Sequence, residues 1–581
     1  MTSVKNQSRT NYRRPPFLNI SDTSWADEQL RKLSLEQKIA QLLHVAAYSN
    51  RDQAHLDYLQ ELVEEEDIGG LIFFQGNPRA QAQMTNNLQA KAKMPLLISI
   101  DGEWGLAMRL NDTIAFPYQL ALGAINQDKN DLIYEMGRQI GKQCKALGIH
   151  VNFAPTVDIN SNPANPVIGF RSFGEDKHLV AEKALAYMQG MQDEGILACA
   201  KHFPGHGDTD SDSHFTLPLI NHSKAYLHEN ELYPFQKLLD HGVGSIMTAH
   251  LNVPALESEK GLPSTLSHSI VTDLLKREMG FEGLVFTDAL DMKGVSSNYV
   301  PGEIETKALL AGNDLLLFTV DVAKAKKGIV DAVEQGLITE KEIEERCYKQ
   351  LLAKQWAGLD NYQSIDGKVL ESEMHNRTAI ELNQKLAEQA ITMFTAREGF
   401  SPIKEAEELI LFNVFGDPDA EVKLVEAFDA SLMHHFKGKK AENIEDGLND
   451  ESHTLFTKLL QEHCSAKVLD FFYKDKAKAK GISAKKVVGR KVIALHLTGM
   501  KTASGFGVTE TMHQLINDYC NDSDAFFIVF GNVYALNVLE PLKKAKNLLL
   551  CYQDSKEMQK AAFSVLVGEI EAKGKLPVNI A

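Results

Sequence analysis

The chain has 581 residues, 61 Lys plus Arg against 78 Asp plus Glu, and a formal net charge of −17. That length exceeds what one hydrophobic core serves and implies two domains or three, and the negative balance argues against a nucleic-acid or anionic-membrane surface. Six dispersed cysteines without a CxxC pair argue against a zinc knuckle or a dense disulfide framework, and no stretch is long and apolar enough to span a membrane. The first nineteen residues are polar, contain Arg13-Arg14-Pro15-Pro16 and lack an apolar signal core. The expected compartment is therefore the cytoplasm, or the periplasm or exterior if an export signal is missing from the chain as given.

Eight short apolar, β-branched runs precede residue 320: 39–47, 70–74, 96–101, 150–158, 196–202, 245–250, 283–288 and 314–318. Amphipathic stretches at 131–147, 179–194, 223–241 and 269–279 separate several of them. Alternating strands and helices imply a parallel sheet. The expected fold class is α/β: a (β/α)8 barrel, with an open doubly wound sheet as competitor. Five runs end in ionisable residues, namely Asp101, Asp158, Lys201-His202, His250 and Asp288. A barrel gathers such ends on one face, which favours it. After a polar, turn-rich connector, apolar runs at 408–414, 491–497, 525–530 and 547–551 predict a smaller α/β sandwich. The expected organisation is an N-terminal extension (1–24), a barrel (25–360), a linker (361–385) and a C-terminal sandwich (386–581).

Residues 201–214 gather three His, three Asp and a Lys around Pro204, Gly205 and Gly207. The helix breakers put these groups on a loop after a strand, which is where an α/β enzyme keeps its chemistry. The glycines predict a flexible loop. Asp288 at a strand end is either a rigidly aimed carboxylate or a helix N-cap. Asp212 beside His214 offers a histidine tuned by a carboxylate, suited to acid and base work near neutral pH. A metal reading of His202, His206, Asp208, Asp212 and His214 stays open on composition alone. The absence of HExxH counts against the metal reading, and with no GxGxxG opening a helix after a strand and no GxxxxGK[ST], nucleotide chemistry has no support.

Lys201-His202-Phe203-Pro204-Gly205-His206-Gly207, followed by Asp212-Ser213-His214, resembles the signature of glycoside hydrolase family 3, most closely its β-N-acetylglucosaminidase branch. Residues 101–109, 152–158, 169–174, Thr287-Asp288 and 568–580 resemble further family motifs in order. The sequence departs from the pattern at Trp104-Gly105 and at Ala289. The resemblance implies Asp288 as nucleophile, His214 as acid/base tuned by Asp212, and Asp101, Arg109, Arg171, Lys201 and His202 as sugar-binding residues. His206 is expected to support the loop. The implied activity is exo-acting, retaining release of terminal N-acetylglucosamine from muropeptide or chitin-type fragments. No metal or cofactor is implied, and the partner is a small carbohydrate, with the chain a monomer or homodimer. The alternatives are a β-glucosidase or β-xylosidase of the same fold, a phosphorolytic variant, or a sugar-binding regulatory module.

Overall fold

The computed structural model describes residues 13–211, 216–297, 299–396, 401–420, 454–473, 487 and 489–580. Its contacts divide the chain into two units: Met1–Ala115, Ile133–Ile159 and Val180–Asn376 form the first, and Phe116–Leu132, Asn160–Leu179 and Arg377–Ala581 form the second.

In the first unit the apolar runs extend as β1 (Leu43–Tyr48), β2 (Gly70–Phe74), β3 (Leu97–Ile100), β4 (Val151–Asn152), β5 (Leu197–Phe203), β6 (Ser245–Thr248), β7 (Leu284–Thr287) and β8 (Leu316–Leu317). They pair in parallel in the order β7-β6-β5-β4-β3-β2-β1-β8, and a parallel bridge from Phe286 to Leu315 joins the two ends. The sheet thus closes on itself as a barrel. Its interior is filled by side chains: Phe153 and His44 meet Phe286 edge-on at 5.1 and 5.8 Å. Because both faces of a closed parallel sheet are covered, the strands read as continuous apolar runs, and every residue of β3 and β5 is buried.

Three departures from the sequence pattern have local causes. The run at 39–47 begins inside the helix Leu35–Gln41, which a reciprocal cap between Ser34 and Gln37 starts. The run at 150–158 keeps only two residues in a strand, since Pro155 has no N–H to give the ladder. The expected helix at 223–241 is two, Lys224–Glu229 and Leu232–Leu239. Pro234 cannot donate back to Asn230, and it is tolerated within the first turn of a restarted helix.

In the second unit the sheet holds β9 (Thr392–Thr395), β10 (Glu408–Phe415), β11 (Ser465–Phe471), β12 (Arg490–His496), β13 (Ala525–Phe530) and β14 (Leu548–Leu550). The order is β11-β10-β12-β13-β14-β9, parallel throughout except for antiparallel β9 on the edge. The stretch 361–385 holds the helix Gly367–Met374 and the start of Arg377–Ala390. Two segments inserted in the barrel sequence belong to this second unit, and glycines let them approach closely. A Cβ at Gly123 would lie 1.8 Å from the Phe173 carbonyl oxygen, and one at Gly174 would lie 2.4 Å from that of Pro577. Among the described residues no helix is long and apolar enough to cross a membrane.

Candidate active site

The carboxyl ends of β3, β5 and β7 carry the predicted groups of the barrel. β5 loses register with β6 between Ala200 and Phe203, and Lys201 pairs instead with Thr156. An irregularity of this kind re-aims side chains at a barrel rim. Here it directs Lys201 to Asp101, with Nζ donating to Oδ1 at 2.8 Å, and to Glu103 Oε1 at 2.8 Å. Arg109 Nη2 donates to the other Asp101 oxygen at 2.6 Å. Burial pushes the Asp101 carboxyl up, but the charges of Lys201 and Arg109 outweigh it and hold the group at about 2. Asp101 is therefore a fixed anion with both oxygens engaged. Arg109 also lies over the Phe74 ring, 4.1 Å from its centroid, which fixes the guanidinium from its other face.

The turn that carries Asp101 is braced from below. Asn152 accepts from the Gly102 N–H at 2.8 Å and donates to the Gly102 carbonyl at 3.1 Å. The Tyr187 hydroxyl donates to the carbonyls of Gly102 and Glu103 at 2.9 and 3.1 Å. Glu103 is fully buried, and Lys201 is the cation that makes its charge tolerable there.

His202 and His206 share one anchor, Asp158. His202 Nδ1 donates to Asp158 Oδ2 at 2.7 Å, and the backbone N–H groups of His202 and His206 donate to Oδ1 at 3.1 and 2.7 Å. Burial raises the Asp158 carboxyl, yet His202 draws it below the usual carboxylate range. His206 is itself buried and pairs through Nδ1 with Thr209 Oγ1 at 2.8 Å, a loop-supporting arrangement. The glycines of this loop serve close packing, and in this part the expected flexibility does not hold. A Cβ at Gly207 would lie 1.6 Å from the Ile159 carbonyl oxygen, and residues 205–207 are buried.

Asp288 follows β7 and is half-buried. Its N–H donates to the Thr248 carbonyl at 2.9 Å, and its Oδ1 accepts from the Ala289 N–H at 2.8 Å. His250, fully buried, donates from Nε2 to the Ala289 carbonyl at 2.9 Å while Nδ1 meets Thr265 Oγ1 at 2.8 Å. It braces the peptide that follows Asp288. The predicted acid/base residues Asp212 and His214 lie outside the described residues. Arg171 belongs to the second unit, on the turn Gly169–Arg171, where Nη1 donates to the Val167 carbonyl at 3.3 Å. Among the described residues, no group of His, Cys, Asp and Glu is gathered as metal ligands would be.

The residues from 34 to 351 match the Glycosyl hydrolase family 3 N terminal domain. The chain belongs to glycosyl hydrolase family 3. Among relatives of this family 3 chain, "Beta-hexosaminidase A" of Pseudoalteromonas piscicida is 34% identical over 61% of the chain and 63% of that protein, so a little under two thirds of that relative is spanned. "Beta-N-acetylglucosaminidase/beta-glucosidase" of Cellulomonas fimi is 27% identical over 67% of the chain and 69% of that protein. The solved structure of a family 3 β-N-acetylglucosaminidase from Paenibacillus sp. str. FPU-7 is similar over 94% of the chain and 99% of its own, with a TM-score of 0.75 and 29% identity.

Four features beside this family 3 site have roles that the sequence pattern leaves hidden. Asp158 was visible as a strand end, but its role as common acceptor for two histidines was not. Glu103, two residues beyond Asp101, had a signal in its motif. Asp208, a candidate metal ligand in the sequence, pairs with His222 at 2.5 Å, and His222, stacked 4.1 Å from Tyr226, had no signal. Nor did Glu231, buried beneath the loop.

Proposed function

We propose that the chain is an exo-acting, retaining β-N-acetylglucosaminidase that removes a terminal β-linked N-acetylglucosamine from muropeptide or chitin-type fragments. The observation that carries this reading is the Lys201–Asp101–Arg109 clamp at the carboxyl ends of the barrel strands. A carboxylate held charged among donors suits the hydroxyls of one terminal sugar. The names of the relatives, β-hexosaminidase and β-N-acetylglucosaminidase, support the choice of sugar.

The steps follow from the residues. A carboxylate oxygen of Asp288 attacks the anomeric carbon while the proton of His214 passes to the leaving glycosidic oxygen, and the aglycone departs as an alcohol. His214, now neutral, takes a proton from water, whose oxygen attacks the anomeric carbon from the face the aglycone left and displaces Asp288 as a carboxylate. Two inversions give net retention. Asp212 orients His214 and stabilises its charged form. Asp101, Arg109, Arg171, Lys201 and His202 hold the terminal sugar. The roles of Asp212, His214 and Arg171 rest on the sequence resemblance.

The test is nitrophenol release from the 4-nitrophenyl β-glycosides of N-acetylglucosamine and of glucose, for the native chain and for His214→Ala. Turnover confined to the N-acetyl substrate, with a large loss in the variant, is the expected result. Glucoside turnover that survives the substitution would place the acid/base elsewhere.

A further inference from the structure

Glu231 stands at the break between the helices Lys224–Glu229 and Leu232–Leu239, in the N-cap position of the second, yet its side chain caps nothing. The second helix packs on β5, with Phe235 edge-on to Phe203 at 5.3 Å. That contact turns Glu231 inward, beneath the loop that follows β5. It is 2% exposed, and among the described residues both of its carboxyl oxygens are buried without a hydrogen-bond partner. The loop rests on it: a Cβ at Gly205 would lie 2.9 Å from Glu231 Cβ and 3.0 Å from Oε2.

The groups around it are mostly anionic. Asp158 and Asp208 both act on its charge, and Tyr226 feels Glu231 and Asp208 in turn. Three histidines stand behind these carboxylates, but each is directed to another partner: His202 to Asp158, His206 to Thr209 and His222 to Asp208. No cation is thereby bound to Glu231 among the described residues. A buried carboxylate without donors, beside a second carboxylate that must stay charged to hold two histidines, is far more costly than a neutral acid.

We propose that Glu231 is a proton-linked positioning residue: as a neutral acid it fits under Gly205 and holds the Lys201–Thr209 segment in place, and on losing its proton it opposes Asp158 and disorders that support. The proposal rests on the reading that this segment grips the sugar. Burial first, then Asp158 and Asp208, push the carboxyl up to about 8, which sets the pH at which the support fails. Glu231 touches no reacting atom in this scheme and acts through Gly205 and Asp158.

The experiment compares wild type with Glu231→Gln, which keeps the volume and stays neutral, and with Glu231→Met, which removes the polar group. Two readouts are taken: kcat/KM on 4-nitrophenyl N-acetyl-β-glucosaminide, and Tm, each from about pH 5 to about pH 9. Wild-type kcat/KM is expected to fall on the alkaline side through about pH 8. Glu231→Gln is expected to stay within about threefold of wild type at neutral pH and to lose that limb or move it up by about one pH unit or more. Profiles that superimpose overturn the positioning role.

The Tm readout needs no substrate. A carboxyl whose folded pKa is raised costs stability as pH climbs from its unfolded value toward the folded one. The Tm of Glu231→Gln should therefore gain on wild type steadily across that window, and Glu231→Met should show the same trend. A difference that does not change with pH overturns the proposal. If the proposed sugar chemistry is wrong, nitrophenol release fails for wild type and variants alike, while the Tm trend still decides the proton linkage.

Discussion

The barrel and the second sheet both set polar groups at the carboxyl ends of parallel strands, and they treat them differently. At the barrel rim, Asp101 is held by Lys201 and Arg109, the Arg109 side chain is 21% exposed, and Asp288 is half-buried at the end of β7. At the end of β12, His496 pairs with Asp554 at 2.8 Å, but it lies between the rings of Phe415 and Phe530 at 5.0 and 4.9 Å and is 1% exposed. Each arrangement contains an oriented ionisable group. One leaves an accessible face for a substrate, and the other is closed by aromatic rings. A strand-end charge is thus a candidate for chemistry only where its outer face is left open, and a histidine–carboxylate pair is otherwise a packing device.

That contrast can be broken most sharply at Asp288. Asp288→Ala removes the proposed nucleophile while the backbone bond to Thr248 remains. We expect kcat on the N-acetylglucosaminide to fall by roughly 10⁴-fold, with stability lowered by only about 1 kcal/mol for the lost bond to Ala289. Retained turnover in steady-state assays would remove Asp288 from the mechanism. Lys201→Met should act on both quantities. It leaves Asp101 and Glu103 facing each other without their common cation, so chemical unfolding should show a loss of about 3–5 kcal/mol and activity should vanish. A variant as stable as wild type would mean the buried carboxylates are neutral.

How far these elements were legible in the sequence depends on how local their causes are. The runs 70–74 and 525–530 became β2 and β13 at the same bounds, because a strand buried on both faces must be apolar throughout. β11 escaped because much of its length is only partly buried, so Ser465–Phe471 carries no continuous apolar signal. The helix Leu35–Gln41 was hidden by apolar residues shared with the strand after it, although Ser34 and Gln37 did carry a capping signature. Residues 116–132 and 160–179 join the second unit through contacts hundreds of positions away, such as the Lys575 N–H to the Ala124 carbonyl at 2.8 Å, which no local pattern encodes. Within the candidate site, strand-end residues such as Asp101 and Lys201 were legible as ionisable ends of apolar runs. Glu231 was not, because only the break before Pro234 turns it inward.

At the second sheet the expected effects are smaller and reversed in kind. His496→Ala removes two ring stacks and the bond to Asp554. It should cost about 2–3 kcal/mol in denaturant unfolding and leave kcat within about twofold. A large fall in kcat with unchanged stability would mean that the sealed pair takes part in the reaction.

The smallest effect we expect is the acid dependence contributed by Asp101. Its folded pKa, about 2, lies below the ordinary 3.8. A depressed carboxyl adds stability that is fully present above its unfolded pKa and is lost as pH falls through the folded value. The shift corresponds to about 2 kcal/mol. Asp101→Asn keeps the shape and leaves Lys201 its pair with Glu103, while it removes the charge and turns one of the two acceptor oxygens into a donor. Its unfolding free energy should lie about 2 kcal/mol below wild type near neutral pH. That gap should narrow as the pH drops from about 4 toward about 2, because wild type then loses the charge that the variant never had. Parallel curves over this range would show that Asp101 is not the anion that Lys201 and Arg109 hold.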